Sequence, residues 1–352
     1  MTRMNHWVAL VFLATILACT SAPTSRTYQR VQGETMGTYY SITYYDEQER
    51  NFKPQMDSLL IQVNQGVSTY IPTSTISLFN QAVDTFALEG VNEAAVNAHF
   101  VKNYQAARAA FEQSAGAFDP TVMPLVNYWG FGYTGKKPIT AIDSVKIDSL
   151  NQLVGLDQVK FMDSPAPRWI KPLPGIQFDM SGCAKGYGVD QLAQLLEGYG
   201  VKHYLVDIGG EIRVKGKNDQ GEDWRIGINV PKENASLTDI QEAIPVTNIS
   251  VATSGNYRNF YEVDGVKYSH TINPFTGFPE RNTLLSASVF MENCIDADAY
   301  ATAFMVMGID KALPLARQME GLEAYFIYSE DDGQVSVAYT EGLEGVLKGE
   351  RE

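Results

Sequence analysis

Cysteine, histidine and positive charge are all scarce in this 352-residue chain. Three cysteines, at positions 19, 183 and 294, are too few for the disulfide framework that staples small secreted domains. None of the four histidines stands at metal-ligand spacing from another His or Cys, which argues against zinc. With 27 Lys and Arg against 41 Asp and Glu, the net charge is −14. Such a surface repels nucleic acid and does not form a polybasic membrane patch. An anionic ligand must therefore be met by backbone N–H groups, by a metal ion or by single lysines. The apolar segment near the start, from Trp7 to Ala18, is too short to span a bilayer.

That segment follows a lone Arg3 and ends in Ala18-Cys19, the layout of a bacterial lipoprotein signal cleaved before Cys19. A signal peptide cut elsewhere, with Cys19 incidental, is the alternative. Lipid chains on Cys19 would hold the protein on a membrane without a spanning helix, each buried methylene contributing about 0.8 kcal/mol. The expectation is a membrane-anchored protein on the extracytoplasmic, periplasmic side. Residues 1–18 form the signal, 19–30 a polar tether, and 31–345 the folded domain. Removing 1–18 takes away only Arg3 among charged groups, leaving 27 − 1 = 26 basic against 41 acidic residues, a net of −15.

Periodicity in the remainder predicts helices over Lys53 to Gln65 and Glu93 to Ser114, and helical character from Asp298 through Met307. Strands are expected at His203–Ile208, Glu211–Val214, Trp224–Val230 and Ser286–Met291. These interleave without a regular βαβ beat, so the fold class is α/β of the mixed α+β kind, one large domain with mixed sheets and flanking helices. The Pro-rich span Lys136 to Pro174 reads as loop-heavy.

Two familiar motifs fail on context. Gly130-Phe-Gly-Tyr-Thr-Gly135-Lys136-Lys137 satisfies G-x-G-x-x-G, but it lacks an apolar strand before it and meets Pro138 after it, so it reads as a Gly-rich turn. Gly182-Cys-Ala-Lys-Gly186 puts Ala where a hydrolase elbow needs its nucleophile. The pair Asp298 and Thr302 is more promising. Four residues apart on a helix, their oxygens fall on one face about 6 Å apart along the axis. Hard oxygen donors suit magnesium or calcium, although alone such a pair also reads as a capping or solvated one.

Further groups accompany it in order: Met36-Gly-Thr38, Ser68-Thr-Tyr70, Ser77-Leu-Phe-Asn80, Phe118-Asp-Pro-Thr-Val122, Asp179-Met-Ser-Gly-Cys-Ala-Lys-Gly186, Gly209-Gly-Glu211, Thr253-Ser-Gly-Asn-Tyr257, and Ser269-His270 running to Thr276-Gly277. From Met36 to about Gly308 the chain resembles the ApbE family, the FAD:protein FMN transferases. The resemblance implies that Met36, Tyr70, Ala117, Phe118, Asp119, Asp179, Lys185 and Ile272 contact FAD. It implies that Asp298, Thr302 and the Gly182 carbonyl hold Mg2+. Read by themselves, Met36 and Tyr70 fit ordinary core positions, Asp179 fits a helix cap, Asp119 a turn starter and Lys185 a solvated charge.

The implied reaction attaches FMN to a Ser or Thr hydroxyl of an acceptor protein, in this family usually a subunit of a membrane redox complex, with release of AMP. His270 is the candidate base, since an imidazole near its usual pKa is largely neutral at pH 7; a buried structural histidine is the other reading. The rivals are a magnesium-dependent FAD pyrophosphatase and a non-catalytic flavin-binding lipoprotein. Self-flavinylation is disfavoured because no family-type acceptor stretch occurs in the chain. Two departures stand out: Asn273-Pro274-Phe275 where the family usually has Asp-Pro and a basic residue, and Cys183 at a commonly aliphatic position. If Gly182 and Asp298 share an ion, Cys183 and Cys294 approach each other, without a disulfide being required.

Overall fold

The structure is a computed structural model and describes residues 26–135, 142–163, 166–231, 239–256, 260–263 and 266–349. The signal segment, Cys19, the tether up to residue 25, the Lys136-Lys137 pair and Tyr257 lie outside the described residues.

Eight strands form the main sheet, and their order in space is their order in the chain: Gln29–Thr35, Thr38–Tyr45, His203–Ile208, Glu211–Lys215, Ile249–Gly255, Leu284–Met291, Glu323–Ser329 and Val335–Tyr339. The class is mixed α/β, and within it the described ladders are all antiparallel. Each excursion from the main sheet returns the chain beside its last strand in the opposite sense, which no right-handed βαβ crossover would do.

The alternation of strand residues separates two cores. Ala252, Val289, Ala324 and Phe326 point to the helices, while their neighbours Val251, Phe290, Tyr325 and Ile327 point to the opposite face. That second face is covered by the hairpin Trp224–Asn229 and Ile240–Val246, whose Trp224, Ile226, Ile228 and Ile244 are buried. At the other end of the sheet Tyr40, Ile42, Tyr204 and Val206 pack on Met56, Leu60 and Leu192.

Helices Lys53–Val67 and Ala94–Gln113 occupy the expected segments. The central element is the helix Cys294–Met307, buried on nearly all sides from Ala297 to Val306. A helix that is apolar all round belongs inside a protein, so the buried Asp298 on it is conspicuous.

The span expected to be loop-heavy carries a helix, Ser144–Asn151, and two short strands, Lys160–Met162 and Arg168–Ile170. The helix escapes periodicity because Ile147 is its one buried residue; its start is fixed by Asp143, whose carboxylate accepts from Lys146 N at 3.0 Å. A helix, Met123–Tyr128, precedes Gly130, which removes the strand that a nucleotide-binding glycine motif needs.

Candidate active site

A pocket opens between the main sheet, the Cys294–Met307 helix and the loop before the helix Ala184–Gly198. That loop is held from beneath. Asn80 brackets Phe178, accepting from its N–H at 2.7 Å and donating to its carbonyl at 2.9 Å. The buried Lys171 ammonium donates to the Phe79 and Ile176 carbonyls, and burial pulls its pKa down to about 8. Asp179, Ser181 and Gly182 are thereby presented to the cavity.

Gly182, Asp298 and Thr302 meet at one wall. A Cβ on Gly182 would lie 2.9 Å from Phe118 Cε2 and 3.1 Å from Thr302 Oγ1, so only glycine lets the loop approach this closely. Asp298 is 2% exposed; its Oδ2 accepts from Gly186 N at 3.0 Å. Burial raises its pKa, opposed by the Lys185 charge and the Gly186 N–H. Ser254 Oγ lies 3.4 Å from Thr302 Oγ1.

These oxygens fit magnesium. Among the described residues no three His, Cys, Asp or Glu side chains gather as a metal cage. One carboxylate, a hydroxyl and backbone suit a cation that keeps waters and ligand phosphates in its shell. Glu211 adds a buried carboxylate to the pocket, and its Oε2 has no hydrogen-bond partner.

Lys185 lies in the pocket wall, tied by an ion pair to Glu211. Burial works against its charge, but the Asp298 and Glu211 carboxylates prevail and its pKa is raised. Glu211 itself is pushed up by burial, opposed by Lys185 and reinforced by the Asp298 charge. Its side chain was not singled out from the sequence, where one Glu after two glycines carries little signal beyond the Gly209-Gly-Glu211 group.

Ala117, Phe118 and Asp119 line the same cavity, following a turn at Ala115 and Gly116 with positive φ. The Asp119 carboxylate is occupied within the protein. Oδ1 accepts from Thr121 N at 2.8 Å and Thr121 Oγ1 at 2.6 Å, and Oδ2 from Leu156 N at 3.2 Å. This is the turn reading of Asp-Pro. Asp179 likewise accepts from Ser181 N at 2.8 Å and from its hydroxyl, and does not cap the following helix, whose N-cap is Cys183.

His270 and Ile272 line the pocket too. His270 is exposed, its ring edge-on to Phe131 with centroids 6.4 Å apart, so the buried reading of this histidine does not hold. Asn273, at the departure from the family pattern, builds a turn: Oδ1 accepts from Phe275 N at 2.8 Å, and Nδ2 donates to Glu280.

Met36 and Tyr70 are not in the pocket lining. Met36 has φ 50° and packs its thioether where a Cβ of Gly188 would fall. Tyr70 is 66% exposed, contrary to its core reading, and feels the Asp179 charge, which adds to partial burial in raising its phenol pKa. Cys183 and Cys294 are free, buried thiols: the first faces Asn103 and the Met180 carbonyl, the second the Ile212 carbonyl.

A half-buried lysine opposite hard oxygen donors is chemistry that suits a phosphorylated ligand and a divalent cation. The chain belongs to the ApbE family, whose family model matches residues 36–326. It is similar to the FAD:protein FMN transferase of Vibrio cholerae, 35% identical over 341 residues, covering 94% of this chain and 96% of that one. The FAD:protein FMN transferase of Escherichia coli K12 is 34% identical over 308 residues, covering 86% and 84%. Among solved structures, flavin transferase ApbE from Vibrio cholerae superposes with TM-score 0.81 at 33% identity over 92% of this chain and all of that one.

Proposed function

We propose that the protein is an FAD:protein FMN transferase. The observation that carries this reading is the convergence of Gly182, Asp298, Thr302 and Lys185 on one pocket, in a chain whose relatives of near-equal length bear that name. The acceptor hydroxyl oxygen bonds to the FMN-side phosphorus as the phosphorus–oxygen bond to AMP breaks. The hydroxyl proton passes to the His270 imidazole, and AMP leaves with the bridging oxygen.

Lys185 meets the pyrophosphate charge that the acidic surface would otherwise repel. Asp298, Thr302 and the Gly182 carbonyl would hold magnesium. When bound, it neutralises charge on the pyrophosphate oxygens. The exposed position of His270 supports transfer to a protein segment over plain hydrolysis, because an acceptor side chain must reach it from outside. Ala117, Phe118 and Ile272 would line the flavin nucleotide by backbone and apolar contact, while Met36 and Tyr70 would reach it only from the rim.

The anchor reading belongs to the same proposal: lipidation at Cys19 would place the site beside the extracytoplasmic segments of membrane redox subunits. Incubation with FAD and magnesium, with and without an acceptor domain, tests the activity. Protein-bound flavin with stoichiometric AMP is expected. Free FMN at the same rate whether or not acceptor is present would make the protein a pyrophosphatase. Moving from membrane to soluble fraction is the expected result for Cys19→Ala.

A further inference from the structure

The helix Cys294–Met307 carries both side chains of the cation site, yet its own N-cap does not hold it. Asn293 makes no side-chain capping bond; its amide turns to Asp296 Oδ2 at 3.1 Å. The first N–H groups of a buried helix need acceptors, and an uncapped start frays. Here the acceptor comes from another helix. Asp190, 3% exposed, accepts from Cys294 N at 3.0 Å on Oδ1 and from Ile295 N at 2.9 Å on Oδ2.

Asp190 stands one turn beyond Gly186 on the helix Ala184–Gly198, on the same face. Gly186 donates to Asp298, and a Cβ there would run into the Cys294 carbonyl oxygen. The two helix starts are therefore joined at consecutive turns. Arg213, in the strand that begins at Glu211, donates to Asp190 Oδ1 at 2.6 Å and compensates its buried charge. One carboxylate thus ties together the elements that carry Lys185, Glu211 and Asp298.

We infer that Asp190 is a positioning residue, which caps the Cys294–Met307 helix in trans and so sets Asp298 and Thr302 against Gly182 before any cation binds. This rests on the reading of Asp298 and Thr302 as magnesium ligands. Asp190 touches neither of them, so its contribution is to cation affinity and not to the chemical step. An Asn at 190 keeps the size but can no longer accept from both N–H groups and Arg213 together.

The test compares wild type, Asp190→Asn and Arg213→Gln in the full-length protein. Asp190→Asn is expected to raise the magnesium concentration for half-maximal flavin transfer tenfold or more, with kcat at saturating magnesium within threefold of wild type. Arg213→Gln, which keeps both capping bonds, should shift that midpoint less than threefold. Hydrogen exchange without metal gives the independent readout: the amides of Cys294 and Ile295 should be protected in wild type and in Arg213→Gln, and exchange at least tenfold faster in Asp190→Asn. An unchanged magnesium midpoint, or a kcat loss that magnesium cannot restore, overturns the assignment. So does fast exchange of these two amides in the wild type, a measurement that holds even if Asp190→Asn fails to fold. No flavin transfer by the wild type would overturn the functional reading alone, since the exchange rates are read without ligand.

Discussion

Gly186 donates its backbone N–H to Asp298 at 3.0 Å and could not do so with a side chain of its own, because a Cβ would strike the Cys294 carbonyl and come within 2.9 Å of Asp298 Cβ. The close crossing of two helices and the polarity of the site are thus one feature. Gly186→Ala should destabilise the protein by about 2 kcal/mol or more, although alanine is ordinarily the better helix former. Gly198, at the far end of the same helix, has nothing within 4 Å of its would-be Cβ, so Gly198→Ala should be neutral or slightly stabilising. Urea denaturation of both variants decides; equal effects would remove the packing argument.

Asp298→Ala should abolish magnesium-dependent turnover while the variant stays folded. Removing this buried carboxylate relieves its desolvation but takes the acceptor from Gly186 N–H and a counter-charge from Lys185, so the ligand-free variant should stay folded with only a modest loss of stability. The checks are the melting temperature without magnesium, expected to be near or somewhat below wild type, and its rise on adding magnesium with FAD, expected to vanish. Full turnover in this variant would refute the cation site.

Asp119 is raised to about 6 by burial, against which its bonds from Thr121 and Leu156 work. The folded protein keeps this proton over a range where the unfolded chain has lost it. Its contribution is therefore full below about pH 4 and is lost as pH rises through about 6. Asp119→Asn should flatten that slope, gaining on wild type by up to about 3 kcal/mol between pH 4 and 7. Denaturation midpoints at pH 4, 5, 6 and 7 test it, and parallel curves would contradict the assignment.

How much of this was legible depended on whether the signal was local. His203–Ile208 alternates buried Tyr204, Val206 and Ile208 with half-buried partners, and Ala94–Gln113 buries a periodic stripe, so both could be read directly. Ser144–Asn151 buries only Ile147 and left no pattern. The pairing of Asp298 with Thr302 followed from helix spacing, but Gly182 joined them only through the family resemblance, since the loop and helix are far apart in sequence. Asp190 was illegible for the same reason. Its partner amides lie 104 and 105 residues away, and an Asp within a helix reads as solvated until the neighbouring helix is in place. Asp119 shows the converse, since a local Asp-Pro turn does describe what its carboxylate does.

A variant of His270 is the test that separates transfer from hydrolysis. It is exposed in the wall of the pocket, beside Phe131, where an acceptor segment arriving from solvent would meet it. A general base acts chiefly in the transition state, so its loss should lower the rate and leave ground-state binding nearly intact. His270→Ala should cut flavinylation of an acceptor domain by about a hundredfold or more, within the range of general-base contributions. FAD affinity should change less than about threefold, since on the proposed reading Lys185 and the Asp298 corner, not the imidazole, would meet the pyrophosphate. Single-turnover transfer at saturating FAD gives the first quantity and equilibrium titration of FAD the second. If the variant loses FAD binding yet keeps its rate at saturation, His270 is a binding residue and the proton goes elsewhere. Should acceptor-dependent transfer fall while AMP release continues, the imidazole serves the protein hydroxyl and water needs no such base.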